Sequence, residues 1–373
     1  MTPQEAAITL NLIPGLGSIK IQRLLEFFGS PEIVLHAPAR LLQEVKGIGN
    51  DLATSITSWK TTTNALKEID LATQAKVSIT TLFDPEYPTI LRTITDPPIV
   101  LYSYGHWLPI DGEKSIAVVG SRMATHYGRM VAQKFSYSLA EAGITIISGL
   151  ARGIDSTAHH AALTAGGRTL AIIGSGLNRL YPEENKALAD MIVDGHGAVI
   201  SEFPMNLAPS KSTFPMRNRI VSAWSQATLV IEASKRSGAL ITANSANEQG
   251  RTVYAVPGPI DRPYSEGCHE LIRDGATLVT HAGQILDDLG WNPCSQELPL
   301  FQTERVAQAS KQAVILTGEE QLVLNNIKQG NQSLDSLCTT SGLPTSTLTG
   351  ILAKLQIIGL VVPLPGGLFT SKK

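Results

Sequence analysis

The chain has 373 residues, 43% of them hydrophobic, and its 30 basic and 32 acidic side chains leave a formal charge of −2. Because this length exceeds what one hydrophobic core usually supports, we expect two or three domains. The near-neutral charge excludes a general electrostatic attraction to nucleic acid or membranes, so a bound anion must meet a local cluster of cations.

The cysteine content and the N-terminus bear on the cellular compartment. The chain has only 3 cysteines, and their wide spacing fits neither a disulfide framework nor a zinc module. The N-terminal residues lack a basic region followed by a long apolar run, and no stretch reaches the ~18 apolar residues of a membrane helix. We therefore expect a cytoplasmic protein with no membrane attachment.

Residues 1–72 are predicted to form a helical domain. Two similar segments, 13–29 and 45–56, each carry a Gly-x-Gly turn that leads into a helical pattern. Such a turn exposes backbone N–H groups at a helix start, where phosphate can bind. A pair of DNA-binding helix-hairpin-helix (SAM-like) units and a pair of hairpins used only for packing both remain open.

Residues 73–290 are predicted to form a Rossmann-like α/β domain, with a doubly wound, mostly parallel sheet. Its lead-in, Lys76 to Gly112, is rich in proline and excludes a continuous helix. Runs of Val, Ile and Leu then alternate with helical segments such as Arg129–Ala142 and Ser156–Ala165, a pattern typical of strands buried on both faces. The expected strands are Ile116–Val119, Thr145–Ser148, Thr169–Ile173, Ala198–Ser201, Thr228–Glu232, Thr252–Val256 and Thr277–Thr280.

The C-terminal part is predicted to be a polar linker at 291–315 followed by a winged-helix-like domain at 316–373. Its third helix offers mainly Lys354 and Gln356 to a DNA groove, so a role in protein contact or regulation is equally open. The expected elements are helices at Leu322–Ile327, Ser333–Thr340 and Thr345–Ile358 and a hairpin at 361–370.

Four arginines lie beside strand ends or in the segment FPMRNRI at 214–220, and they predict an anion site. Guanidinium groups grip phosphate or carboxylate through paired hydrogen bonds. The carboxyl ends of parallel strands meet at one edge of a sheet, so we expect the four to converge there. A turn of Gly120 and Ser121 is expected to add a phosphate-sized pocket at a helix N-terminus. The arginines are Arg122, Arg152, Arg217 and Arg219.

Catalytic and metal sites are less well supported by the sequence. Asp155, His159 and His160 look like a metal cluster, but no further ligand group lies nearby in the sequence, so Asp155 is expected to be a helix N-cap and no metal is expected. Glu202 and Glu232 end strands, and we expect them to cap helices or to pair with arginines. No dinucleotide fingerprint is present, so no cofactor is expected.

Seven motifs in a fixed order carry a family resemblance. Over residues ~80–285 the chain resembles the DprA/Smf family of DNA-processing proteins. The motifs are GSR at 120–122, SGLARGID at 148–155, YPEEN at 181–185, SEFP at 201–204, FPMRNRI at 214–220, EASKRSGALITA at 232–243, and VPG at 256–258 followed by LIRDGA at 271–276.

The resemblance implies a non-enzymatic homodimer that binds and protects single-stranded DNA and helps to load RecA recombinase in homologous recombination or natural transformation. Dimer contacts would involve Cys268–Arg273, although this helix can equally pack on the sheet. Phe203, Phe214 and Tyr181 lie close in sequence to the cationic positions and could stack on bases. The implied DNA-binding residues are Gly120, Ser121, Arg122, Arg152, Lys186, Arg217, Asn218 and Arg219.

Two other functions remain open. A nucleoside-monophosphate phosphoribohydrolase (lysine decarboxylase-like) shares this Rossmann variant, but its PGG-x-GT-x-x-E motif is replaced here by PGPIDRPYSEG at 257–267. A transcriptional regulator would read duplex DNA through the winged-helix-like tail. At the place where members of the resembled family often carry a lysine, after the Tyr-Pro pair, this chain has Glu183, which leaves Lys186 as the nearest cation.

Overall fold

In a computed structural model the chain divides into two compact units, Met1–Gln296 and Glu297–Lys373. Apart from Trp291, the linker predicted at 291–315 lies outside the described residues. Within the described ranges no helix is both long and apolar enough to cross a membrane. The structure describes residues 1–291, 317–328, 330, 332–357, 360–364 and 368–371.

The first 74 residues form short helices, and both predicted glycine hairpins are confirmed. Gly15 and Gly47 adopt the left-handed backbone, with φ of 79° and 93°, which glycine reaches without steric cost. The next helix of each hairpin starts after Gly17 or Gly49, and neither start has a side-chain cap. The helices are α1 (Pro3–Leu12), α2 (Ser18–Phe28), α3 (Pro31–His36), α4 (Ala39–Leu42), α5 (Asn50–Thr57), α6 (Trp59–Thr62) and α7 (Ala65–Gln74).

A nine-stranded sheet follows, with the order β1-β2-β6-β5-β4-β3-β7-β8-β9. The strands from β3 to β9 are parallel to their neighbours, whereas β2 runs antiparallel to β6 and β1 antiparallel to β2. All seven predicted strands are present, with ends shifted by at most two residues. The strands are β1 (Val77–Thr81), β2 (Val100–Gly105), β3 (Ser115–Val119), β4 (Thr145–Ser148), β5 (Thr169–Ile172), β6 (Gly197–Ser201), β7 (Ala227–Val230), β8 (Thr252–Ala255) and β9 (Thr277–Leu278).

Helices cover both faces of this sheet, so the predicted doubly wound fold is confirmed. Alternate strand residues face opposite layers: Ile116 packs with Phe135 of one layer, and Ala117 with Trp224 of the other. Full burial of such side chains contributes roughly 1.5–3 kcal/mol each. The helices are α8 (Thr89–Arg92), α9 (Ile110–Glu113), α10 (His126–Glu141), α11 (Ile154–Thr164), α12 (Lys186–Val193), α13 (Thr213–Ala223), α14 (Gly238–Glu248), α15 (Glu266–Arg273) and α16 (Ala282–Asp288).

The strand order creates a switch point between β3 and β7. The chain lays down β3, β4, β5 and β6 in one direction and then returns through α13 to place β7 on the other side of β3. Loops at the carboxyl ends of β3 and β7 therefore part in opposite directions and leave a crevice, which is where open α/β sheets bind ligands.

The second unit has three helices and a three-stranded sheet with the order β10-β12-β11, so the winged-helix prediction is confirmed. Strand β10 was not predicted, because two residues carry no alternation pattern. The turn glycines of the predicted hairpin lie outside the described residues. The elements are α17 (Gly318–Lys328), β10 (Gln332–Ser333), α18 (Leu334–Ser341), α19 (Thr345–Ile357), β11 (Val361–Leu364) and β12 (Leu368–Ser371).

Candidate nucleic-acid interface

A cleft of about 670 Å³ opens at the carboxyl edge of the sheet, at the switch point. Its walls come from the turns after β3, β4 and β7 and from the first turns of α13 and α14. Predicted site residues that line it are Gly120, Ser121, Arg122, Arg217 and Asn218. A smaller recess of about 120 Å³ at its side is lined by Arg122, Arg152 and Arg217 together.

Two glycines lock the turns after β3 and β4 together. A Cβ on Gly120 would lie 2.5 Å from Cγ1 of Ile154. Gly153 has a φ of 78°, and a Cβ there would lie 2.3 Å from the carbonyl oxygen of Ser121. Only glycine permits this approach of backbone to backbone, so the two motifs GSR and SGLARGID form one rigid floor.

An arginine and two aromatic rings form a shelf in the cleft. The Cζ atom of Arg122 lies 4.8 Å from the ring centroid of Phe214. The Phe214 ring in turn lies 5.7 Å from that of Tyr181. Arg122 is exposed, and within the described part of the chain it forms no ion pair. We name Arg122, Phe214 and Tyr181 the stacking shelf.

Phe203, the third aromatic residue predicted to stack on bases, does not join the shelf. It is 7% exposed and does not line the cleft, so stacking on a base at that position is excluded.

Arg217 reaches the cleft from inside the protein. It is 4% exposed, and its Nη1 donates hydrogen bonds to the carbonyl oxygens of Gly149 and Ile172. These residues end or follow the neighbouring strands β4 and β5. Burial lowers the pKa of Arg217 to about 10, against the favourable effect of Asp155. The side chain is thus a charged clamp between two strand ends.

Arg219 does not converge with the other three, so the prediction of a four-arginine cluster was wrong. Its guanidinium pairs with Asp96 at 3.0 Å and with Glu202 at 2.5 Å, and its side chain is 11% exposed. The same acids accept hydrogen bonds from the N-terminal helices: Ser18 donates to Asp96, and Asn11 to the Glu202 carbonyl. Residues two apart on a helix point about 200° apart, which separates Arg217 from Arg219.

Arg152 lies at the outer wall of the recess and already holds an acid. Its Nε and Nη2 donate to the two carboxylate oxygens of Glu184, at 2.5 and 2.6 Å. This pairing lowers the pKa of Glu184. Lys186 is exposed at the start of α12 and lines a neighbouring cavity of about 700 Å³ with Glu183; Tyr181 separates that cavity from the cleft.

The helix N-terminus that was expected to bind phosphate is already occupied. Thr125 is the N-cap of α10, and Glu232 accepts from its backbone N at 2.9 Å and from its hydroxyl at 2.5 Å. This helix start is therefore blocked for phosphate, whereas Gly120 and Ser121 line the cleft, and their role as phosphate contacts stays a prediction. Glu232 holds the N-cap residue Thr125 rather than capping the helix itself, and the predicted pairing with an arginine is confirmed for Glu202.

Asp155 and His159 serve the fold beside the cleft. Asp155 was predicted to be the N-cap of α11, and this prediction was wrong, because the residue lies in the first turn of the helix. Its carboxylate accepts hydrogen bonds from the backbone N–H groups of Gly149 and Ala151, at 3.1 and 3.3 Å. His159 is fully buried, its Nδ1 lies 2.7 Å from the Thr169 hydroxyl, and burial lowers its pKa to about 3. In the described ranges no cluster of three or more acids, histidines or cysteines can hold a metal.

Sequence inspection missed three residues of the cleft wall. Lys211 adds an exposed cation, Ser237 is the N-cap of α14, and Tyr264 also lines the cleft. The serine preceding a glycine and an apolar run was a usable signal for the cap. Lys211 and Tyr264 come from loops whose course the sequence did not specify.

Comparison with known proteins shows the family of the chain. The family model for DNA recombination-mediator protein A matches residues 78–290, which include every strand end that lines the cleft. The chain belongs to this family. A second model, the DprA winged helix domain, matches residues 307–367. Family models therefore match both the α/β domain and the winged-helix domain of this chain.

Relatives support this membership over the whole chain. Protein Smf of Synechocystis sp. is 32% identical over 95% of this chain and 95% of its own. The structure of DNA processing protein A from Streptococcus pneumoniae superposes with a TM-score of 0.66 and 34% identity, over 77% of this chain and 98% of that one. The DNA processing protein A of Helicobacter pylori, described for its single-stranded DNA binding mode, gives a TM-score of 0.51 and 27% identity, over 57% and 95%.

Proposed function

We propose that this recombination mediator binds single-stranded DNA in the cleft, protects it and delivers it to a RecA-type recombinase. It acts as a cytoplasmic homodimer and catalyses no reaction of its own. The observation that carries the proposal is the stacking shelf, where the Arg122 guanidinium, which has no ion pair among the described residues, lies over the Phe214 ring in the wall of the cleft.

The shelf suits a single strand better than a duplex. Proteins bind single strands through a cation that meets the phosphates and an aromatic face that stacks on the unpaired bases, worth roughly 1–3 kcal/mol per base. In a duplex the bases are already stacked on each other and cannot reach Phe214 or Tyr181. The Helicobacter pylori relative, described for its single-stranded DNA binding mode, supports the same ligand class.

The predicted DNA-binding residues divide into two groups by the partners that their side chains already have. We propose that six of them contact the strand, and that Arg217 and Arg219, which are held by carbonyl oxygens or acids inside the protein, shape the cleft. Lys186 would meet a phosphate beyond the Tyr181 side of the cleft. The contact group is Gly120, Ser121, Arg122, Arg152, Lys186 and Asn218.

Fluorescent oligo-dT binding across a salt series tests the proposal. Each phosphate contact to a single strand contributes roughly −0.7 to the slope of log affinity against log salt. Arg122→Ala should therefore weaken binding and make the slope shallower by about that amount. The matched control is Lys134→Ala, which deletes an exposed cation of α10 away from the cleft.

Three outcomes of this series contradict the proposal: equal affinity for a matched duplex, a salt-independent complex, or equal effects of the two substitutions. The enzymatic alternative predicts release of free base from AMP, which this proposal excludes. Recombinase delivery predicts faster RecA filament formation on oligo-dT that is precoated with single-strand binding protein, and Arg122→Ala should slow it.

The dimer rests on α15, where Cys268 and Leu271 are buried against the sheet and Glu270 and Arg273 are exposed. We propose that the exposed side of this helix meets its copy in a second chain. Sedimentation velocity should report twice the chain mass, and a charge reversal at Arg273 should shift the equilibrium toward monomer. A wild-type protein that sediments with the mass of a single chain would contradict the proposed dimer.

A further inference from the structure

Glu184 occupies Arg152 as a phosphate would. The two hydrogen bonds, at 2.5 and 2.6 Å, run in parallel from the guanidinium to the two carboxylate oxygens. Carboxylate and phosphate present this same bidentate geometry to arginine. Both side chains are about half exposed, at 55% and 54%, so water and a competing anion can reach the pair.

The other arginines of this region differ from Arg152 in the partners that hold their guanidinium groups. Arg217 is fixed by buried carbonyl oxygens, and Arg219 by the buried Glu202 and the partly buried Asp96. Arg122 is exposed and stacked on Phe214 without an acidic partner in the part of the chain that is described. Arg152 alone among these four combines exposure to the recess with a displaceable acid.

We propose that Glu184 is an intramolecular competitor of the DNA backbone: it holds Arg152 in the free protein and must release it when a phosphate enters the recess. This inference rests on the proposed single-strand binding. Glu184 then sets the affinity and the salt dependence of binding, because each binding event exchanges one ion pair for another and leaves a carboxylate that takes up a cation from solution.

Removing the competitor should tighten binding. Exposed pairs of this kind are weak, so Glu184→Gln should increase oligo-dT affinity about two- to five-fold near ~0.1 M salt. The slope of log affinity against log salt should become steeper by up to ~0.7, because the strand then meets one more uncompensated cation. Thermal unfolding should change little, since an exposed pair contributes little to stability.

Glu183→Gln is the matched control. It removes the same charge one residue away, and among the described residues Glu183 forms no ion pair and lines the neighbouring cavity rather than the recess. A general reduction of negative charge would act similarly in both variants. The competitor role predicts a clearly larger effect of Glu184→Gln, and it predicts that this gain disappears in an Arg152→Ala background.

The outcomes separate this inference from the proposed function. If oligo-dT binds and Arg122→Ala weakens it, but Glu184→Gln matches Glu183→Gln or still tightens binding without Arg152, the competitor role is wrong and the function stands. If Glu184→Gln lowers affinity together with the melting temperature, the pair is a structural tie between two loops, and the inference is overturned. If no variant binds oligo-dT at any salt concentration, the proposed function itself fails.

Discussion

Arg217→Ala separates a clamp inside the protein from a contact with DNA. The substitution leaves the carbonyl oxygens of Gly149 and Ile172 without their donor, and each buried acceptor without a partner costs about 1–3 kcal/mol. It also removes the cation that favours the ionised form of Asp155, a residue that is 7% exposed. Two such carbonyl acceptors together cost about 2–6 kcal/mol.

We therefore expect the free energy of unfolding to fall by about 2–6 kcal/mol, a large share of the ~5–15 kcal/mol typical of native proteins. Arg122→Ala, at an exposed position, should change it by less than about 0.5 kcal/mol. The two variants should therefore differ in both stability and affinity for oligo-dT. Arg217→Ala should lose stability, whereas Arg122→Ala should keep its stability and lose affinity for oligo-dT.

The stability penalty should also depend on pH. Burial raises the pKa of Asp155 and Arg217 opposes that rise, so the substitution should raise the pKa further. A carboxyl group whose pKa is higher in the folded state binds protons on folding, and its contribution to stability is lost as pH rises through that window. Arg217→Ala should accordingly be more destabilising at pH 8 than at pH 5.

Urea unfolding followed by fluorescence at both pH values measures these effects, because Trp224 is 1% exposed in the core. Binding should be assayed on the folded fraction of each variant. Stability within about 1 kcal/mol of the wild type, together with a loss of affinity as large as that of Arg122→Ala, would refute the clamp and make Arg217 a phosphate contact.

Two further predictions concern the floor of the cleft and its buried histidine. Gly153→Ala should destabilise the protein by at least ~2 kcal/mol, because its Cβ would overlap the carbonyl oxygen of Ser121. Gly166→Ala, with φ of 68° but open space around its Cβ, should cost only the ~1–2 kcal/mol of the left-handed backbone. Equal losses of stability in urea unfolding would show that the close contact between the two turns is not required. Burial lowers the pKa of His159 from 6.5 to about 3, so the unfolded chain takes up a proton that the folded chain refuses, and stability should fall by up to about 1.4 kcal/mol per pH unit below pH 6.5. His159→Gln should reduce that slope in unfolding measured from pH 7 to 5, and an unchanged slope would contradict it.

The sequence by itself determined the sheet and the place of the cleft. Continuous apolar runs predicted all seven strands of the parallel part, because burial on both faces leaves no polar alternation. The glycines at strand ends, such as Gly120 and Gly153, marked the turns where backbones approach each other. These signals are local, so they can be recognised in the sequence without knowledge of the residues that pack against them.

Only the tertiary structure decided what each charged residue does. Arg122, Arg152, Arg217 and Arg219 look alike in the sequence, yet one is stacked on a ring, one holds an exposed acid, one is buried with carbonyl partners and one is mostly covered and paired with two acids. Apart from Asn218, which accepts a hydrogen bond from Arg217, the partners named above lie between 17 and 123 positions away, as in the pairs Arg219–Glu202 and Arg219–Asp96.

 The accessibility of an arginine and its freedom to bind an anion depend on these distant partners, and no local pattern in the chain reports them. The fold could therefore be predicted from hydrophobic periodicity. Which arginines of the cleft can bind a ligand is decided only by the tertiary structure, because it brings the strand ends and their partners together.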